Sequence, residues 1–327
     1  MVGMRDVAKK AGVSLSTVSL VVNGNGYVSN DMRDRVRKAM QALNYVPNEL
    51  ARNLYHDRTN LVGVIVPTIR HPFFATFTAH LQHALAAQGL RTMLCSTTDE
   101  TDGEIQYVDM LRRHMMDGIV MCAHTSHPGD YWTSIHRPIV AFDRVLGNGI
   151  SSIGSDHEQG GRLIAQMLIR NGARHVVMIG GPRDQFFDLA VRGEVEEGSF
   201  DLGKTTFPTV RYYLTLEQEL TSAGVKYEYI EAGEVMDFAG YHRAVSRALD
   251  GVATDGVDAV VSSDIGAAFC VREALSRGIS IPDELQVVAY DGTYLTDLAR
   301  YEADRGRTGF LGDRAVGGDH GCRRSRQ

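Results

Sequence analysis

From Leu61 onward the chain repeats one pattern: a short, almost unbroken apolar run, a helix-length amphipathic stretch, then another apolar run. "LVGVIVP" is followed by helical spacing over 73–88, "RTMLCST" by a helix at 104–114, and "DGIVMCA" and "PIVAFD" complete a first set. After a join near 151–156 a second set begins: a helix at 158–171, "HVVMIGG", a helix around 211–223 and "KYEYIEAG". A helix at 238–249, "AVVSSD", a helix at 266–277 and "LQVVAYDG" complete it. Continuous apolar strands, as opposed to alternating ones, belong to a parallel sheet buried on both faces. Helices between the strands are the connections such a sheet needs. Two sets predict two similar α/β lobes with parallel sheets. Ligands of such sheets bind beyond the carboxyl ends of the strands, so a cleft between the lobes is the expected pocket.

The residues at those strand ends define the candidate site. Pro72, Phe73 and Phe74 follow the first strand, Asp143 and Arg144 close another, and Asp264 and Asp291 close later ones. Carboxylates and an arginine ringed by phenylalanines suit a polar, planar or hydroxylated small molecule. A general acid–base pair among Asp143, Asp264 and Asp291 would be the catalytic reading. Binding of ligand hydroxyls, or capping of the following helices, accounts for them without catalysis. No G-x-G-x-x-G or P-loop occurs, "IGGP" at 179–182 being a strand–loop turn, so no cofactor is expected. The pairs His124/His127 and His80/His83 are read as solvated histidines in preference to a metal site.

The first sixty residues differ. They hold nine Lys/Arg against five Asp/Glu, a net of +4, so the remainder carries −10 of the overall −6. A basic module on an acidic body suggests a polyanion partner. "MRDVAKKAGV" places Val7, Ala8 and Ala11 on one helical face, with Gly12 as a stop. Ser14 suits the N-cap of a second helix presenting Val18, Val21 and Val22 inward until "NGNG". Ser29 or Asn30 caps a third, with Val36, Met40 and Leu43 at helical spacing. This is a helix-turn-helix pattern, whose second helix enters the major groove. Its first turn carries Leu15, Ser16 and Thr17, with Ser19, Leu20 and Asn23 further along. Hydroxyls bond phosphates or bases and leucines cover thymine methyls. Such a helix reads shape and apolar contact more than Arg–guanine forks.

"DVAKKAGVSLSTVSLVVNG" and "VSNDMRDRVRKAMQALNYVPNELARNL" closely resemble the DNA-binding headpiece of the LacI/GalR (lactose-repressor) family of bacterial transcription regulators. The resemblance puts Leu15, Ser16 and Leu20 at the base-reading positions, with Leu20 departing from the basic or histidine residue often found there. "NYVPNELARNL" resembles the family's hinge. It implies a short helix over 48–55, Leu54 as the apolar wedge that kinks DNA at a minor-groove step, and Arg52 near a phosphate. "RPIVAFDR", "SDHEQGGRLIAQMLIRNGARHVVMIGGP" and "SSDIGAAFCVREALSRGISIPDELQVVAYDGT" resemble the effector-binding core, which is periplasmic-binding-protein-like. By that resemblance Phe73, Phe74, Asp143, Arg211 and Asp264 contact effector. Arg192 competes with Arg211 for the family's arginine, an insertion through about 185–207 accounting for the shift.

The expected organisation is a helix-turn-helix head over 1–46, a hinge helix and linker over 47–60, and a two-lobed core over 61–298. The segment 299–327, Arg/Gly-rich with little apolar periodicity, departs from the family's closing strand and helix. It reads as disordered or frameshifted, a genuine divergent tail being the alternative. The implied function is a sequence-specific regulator, a repressor that acts as a homodimer on a double-stranded, pseudo-palindromic operator. A sugar, sugar phosphate or purine effector would control it. The rival reading is a cytosolic small-molecule-binding protein whose head no longer reads DNA, with Leu20 and the divergent tail in its favour. Apolar runs are too short to cross a bilayer, no secretory pattern opens the chain, and the four cysteines lack ligand spacing. A cytoplasmic, nucleoid-associated protein with reduced thiols and no membrane partner is the expectation.

Overall fold

Glycine and serine punctuate the first sixty residues, and the backbone follows them. The computed structural model describes residues 2–24, 26–47, 58–97, 103–123, 127, 130–187, 205–234 and 237–298, and the backbone of 302–303 and 307–308. Met1–Asn60 and Leu61–Gln327 form two compact units.

In the first unit, α1 (Met4–Ala11) ends at Gly12, whose φ of 63° is the left-handed conformation that glycine adopts without strain. Helix α2 (Leu15–Asn23) is capped by Ser14, whose hydroxyl accepts from the Thr17 N–H at 3.1 Å. Helix α3 (Asn30–Ala42) is capped by Ser29, through Met32 N–H. Val7, Val18 and Val36, one from each helix, are wholly buried together. Arg35 of α3 closes the far end of α1. Its guanidinium donates to the Ala11 carbonyl at 2.7 and 3.1 Å and to the Gly12 carbonyl at 2.9 Å. Those carbonyls are orphans of the helix end and carry its negative dipole charge, so a cation satisfies both demands.

The second unit contains two parallel sheets. The first lobe runs β1 (Leu61–Val66), α4 (Pro72–Ala87), β2 (Arg91–Ser96), α5 (Ile105–Arg112), β3 (Gly118–Met121), β4 (Ile139–Phe142) and β5 (Ser151–Ile153). Its strand order is β2-β1-β3-β4-β5. The second lobe runs α6 (His157–Arg170), β6 (His175–Gly180), α7 (Val210–Ser222), β7 (Lys226–Glu231), α8 (Phe238–Thr254), β8 (Ala259–Ser262), α9 (Asp264–Ser276) and β9 (Gln286–Ala289). Its order is β7-β6-β8-β9. A short helix, α10 (Tyr294–Leu298), and a two-stranded pair, β10 (Glu302–Ala303) and β11 (Arg307–Thr308), follow.

Successive side chains of the central strands enter the two opposite faces of the sheet, both of them covered, which is why the runs read as unbroken apolar sequence. On β1, Val64 and Val66 pack with Phe74 of α4, whereas Ile65 faces Leu111 of α5 and Met116. On β6, Val177 and Ile179 join α8 and α9, whereas Val176 and Met178 join α6 and α7. The strand β5 was not expected: three residues, two of them serine, carry too little apolar signal. Helices α8 and α9 are longer than their periodicity suggested, to Thr254 and from Asp264. No helix among the described residues is long and apolar enough to cross a membrane.

Candidate functional site

The carboxyl ends of both sheets open into one cavity of about 300 Å³ within the second unit. Its first wall is the start of α4. Pro72 occupies the first helical turn, where its missing N–H costs nothing, and His71 is the cap. His71 Nδ1 accepts from the Phe73 N–H at 3.3 Å, so in the neutral ring the proton sits on Nε2. Burial pulls the His71 pKa down to about 4, and the ring stays neutral. Phe73 stacks on Phe142 at 6.2 Å and meets Phe74 edge-on at 5.3 Å, giving an aromatic floor.

Asp143, just past β4, has a φ of 47°, strained for a residue with a side chain. Its Oδ1 accepts from the Ser155 N–H at 3.2 Å and lies 2.8 Å from His157 Nε2. A Cβ on Gly154 would stand 2.3 Å from that oxygen, so the carboxylate requires glycine there. Arg144 is buried. Its guanidinium donates to the carbonyls of Ala123 and Asp143 and lies 4.9 Å from the Phe207 ring. The Cys122 thiol also lines the cavity, but burial pushes it up to about 12, leaving it an unreactive wall group.

The second lobe contributes tyrosines. The Tyr213 hydroxyl lies 3.2 Å from the Ile179 carbonyl and 2.7 Å from the Tyr290 hydroxyl, and Tyr229 donates to the Gly181 carbonyl at 2.7 Å. Burial raises all three phenols, which therefore remain protonated donors. Tyr212 also lines the cavity. Its hydroxyl is buried and, among the described residues, has no hydrogen-bond partner.

Of the carboxylates, Asp291 lines the cavity and Asp264 does not. Asp264 is wholly buried and accepts from the Gly292 and Thr293 N–H groups at 3.1 and 2.6 Å and from the Thr293 hydroxyl at 2.5 Å. Asp291 accepts from the Asp264 N–H at 3.2 Å. Burial first, and then the neighbouring Asp264 charge, raises Asp291 to about 7.

The structure thus gathers Phe73, Phe74, Asp143, Arg144 and Asp291 of the residues read from sequence. Arg211 lies outside the lining, its guanidinium 3.9 Å from Glu158, and Asp264 lies behind it. His71, His157 and the tyrosines were missed. "RYYL", "KYEY" and "VAYDG" carried the signal, tyrosines packed beside residues already singled out. Arg192 falls outside the described residues, as do Arg52, Leu54, the hinge 48–55 and most of 299–327. His127, read from the sequence as solvated, is largely buried: it pairs with Glu104 and stacks on Tyr131 at 3.8 Å, while His124 lies outside the described residues.

In the first unit α2 turns Val18 inward and leaves Leu15 44% and Leu20 38% exposed. Ser16 and Thr17 bond the capping Ser14 hydroxyl at 2.7 and 2.8 Å, and Asn23 donates to Ser19 at 3.2 Å. Arg5, Lys9, Lys10, Arg37 and Lys38 are exposed on the flanking helices.

A family model described as bacterial regulatory proteins, lacI family, matches residues 3–48, and one for periplasmic binding proteins and the sugar binding domain of the LacI family matches 59–202. The sucrose operon repressor of Pediococcus pentosaceus is 33% identical over 89% of this chain and 82% of its own length. The ribose operon repressor of Bacillus subtilis is 32% identical over 89% of this chain and 82% of its own length. A lac repressor dimer solved on its operator with an anti-inducer, 20% identical, shares the fold, with a TM-score of 0.69 over 88% of this chain and 82% of that one.

Proposed function

This chain belongs to the lacI family of bacterial regulatory proteins, and on that premise we propose that it is a repressor that grips operator DNA as a homodimer and is controlled by a sugar. The observation that carries the reading is α2, a capped helix whose outer side chains are left out of the core. Two such helices would enter successive major grooves of a pseudo-palindrome. Lys and Arg on the flanking helices would hold phosphates. Leu54, at the hinge, is proposed as the minor-groove wedge. The cavity in the second unit is proposed to receive the effector. Hydroxyls of a sugar would meet Asp143 and Asp291, and its apolar face would lie on Phe73. Relatives named for sucrose and ribose operons support a sugar over a purine. Such a molecule regulates only through a difference in affinity between the DNA-competent and incompetent forms. The reading needs binding alone from the cleft, with no turnover, and places the protein on the chromosome in the cytoplasm.

The test is titration of the full chain onto a pool of random duplexes at two salt concentrations, then release by sucrose and ribose. Enrichment of a symmetric site, with affinity falling steeply as salt rises, is expected. Equal binding to all duplexes would reject the reading. The Leu54→Ala chain should lose operator affinity and keep sugar affinity, measured by duplex titration and calorimetry.

A further inference from the structure

The outward arc of α2 has a composition that selects among base pairs. At about 100° per residue, Leu15 and Leu20 stand about 140° apart and form the two rims of the arc, with Ser19, Asn23 and Ser16 between them. No acidic or basic residue lies anywhere on this helix. The commonest specific contact to guanine is a two-pronged bond from Arg or Lys to O6 and N7, and α2 has neither. What it offers is two leucines, short hydroxyls and one amide. Leu20 is also held in place. Gly26, with a φ of 74°, brings the following loop so close that a Cβ there would be 3.2 Å from Leu20 Cδ2. Ser16 is engaged by the capping hydroxyl, and Asn23 is oriented by its bond to Ser19. An oriented asparagine amide matches adenine N6 and N7, and a leucine matches the thymine C5-methyl.

We propose that the head specifies A·T pairs, with Leu15 and Leu20 each covering a thymine methyl and Asn23 facing adenine. This rests on the DNA-binding reading above. The partner it names is a symmetric duplex whose half-sites are A·T at the positions under α2. Covering one methyl group is worth about 0.8 kcal/mol, about fourfold in affinity.

The experiment takes the symmetric site selected by the full chain and resynthesises it with deoxyuridine in place of thymidine, one position at a time. That removes a methyl group and leaves every hydrogen bond and the protein unchanged. Expected is about a fourfold loss at two positions per half-site, one abolished in the Leu20→Ala chain and the other in the Leu15→Ala chain. The Leu20→Arg chain should shift selection at its position to G·C. Half-sites with G·C under α2, or indifference to deoxyuridine at every position, would overturn the inference and leave the regulator reading standing. Failure to enrich any symmetric site would overturn both.

Discussion

Asp264 and Asp291, joined by the bond from the Asp264 N–H to the Asp291 carboxylate, have opposite duties. Asp264 caps the turn after β9 from within the protein, accepting three bonds from Gly292 and Thr293. Removing it leaves two buried donors of Thr293, its N–H and its hydroxyl, unsatisfied, and each such loss costs about 1–3 kcal/mol. The Asp264→Ala chain should therefore unfold at lower denaturant concentration, by about 3 kcal/mol in total, before any effect on ligand is read. Asp291 faces the cavity and is raised to about 7. An unfolded aspartate ionises near 4, so between about pH 4 and pH 7 the folded chain holds a proton that the unfolded chain has lost. The group's contribution to stability is greatest below that window and falls as pH rises through it. Thermal melts across this range should show that decline in the native chain and a flatter profile in the Asp291→Asn chain.

At the scale of single elements, α2 is set by its cap. Ser14 accepts from the Thr17 N–H and bonds the Ser16 and Thr17 hydroxyls, so it fixes the first turn of the helix that would read DNA. Ser14→Ala should cost about 1 kcal/mol of stability and weaken duplex binding by fraying that turn, seen by denaturant titration and by operator affinity together. Helix α4 uses the same device with a different residue. His71 caps it through a ring nitrogen and thereby fixes which nitrogen of the cavity wall carries a proton. Position 71 was silent in the sequence, because histidine is not among the usual cap residues and nothing local marks it as buried.

Across the core unit, groups of the two lobes meet around the cavity. The Val145 N–H donates to the Thr206 carbonyl at 3.0 Å. The Arg70 guanidinium, exposed in the loop after β1, lies 5.1 Å from the centre of the Phe238 ring at the start of α8. A cation over an aromatic face at an exposed site contributes about 0.5–1 kcal/mol. The Arg70→Ala chain should accordingly bind its effector about two- to fivefold more weakly, measured by calorimetry, with its denaturation midpoint little changed. An unaltered affinity would mean that closure of the lobes does not depend on this contact.

Apolar runs, helical spacing and the Gly and Ser stops by themselves determined the three-helix head, two parallel sheets and the cleft at their strand ends, since each of these rests on periodicity within a few turns of chain. The tertiary structure alone decided which side chains meet there. Asp264 finds its partners at 292–293 and is withdrawn from the cavity, Arg211 is drawn off toward Glu158, and Asp143 is held by 155 and 157 while tyrosines from α7, β7 and α8 close the wall. Hydrogen-bond partners and burial are set by approach in space between residues far apart in sequence, and no local pattern encodes them.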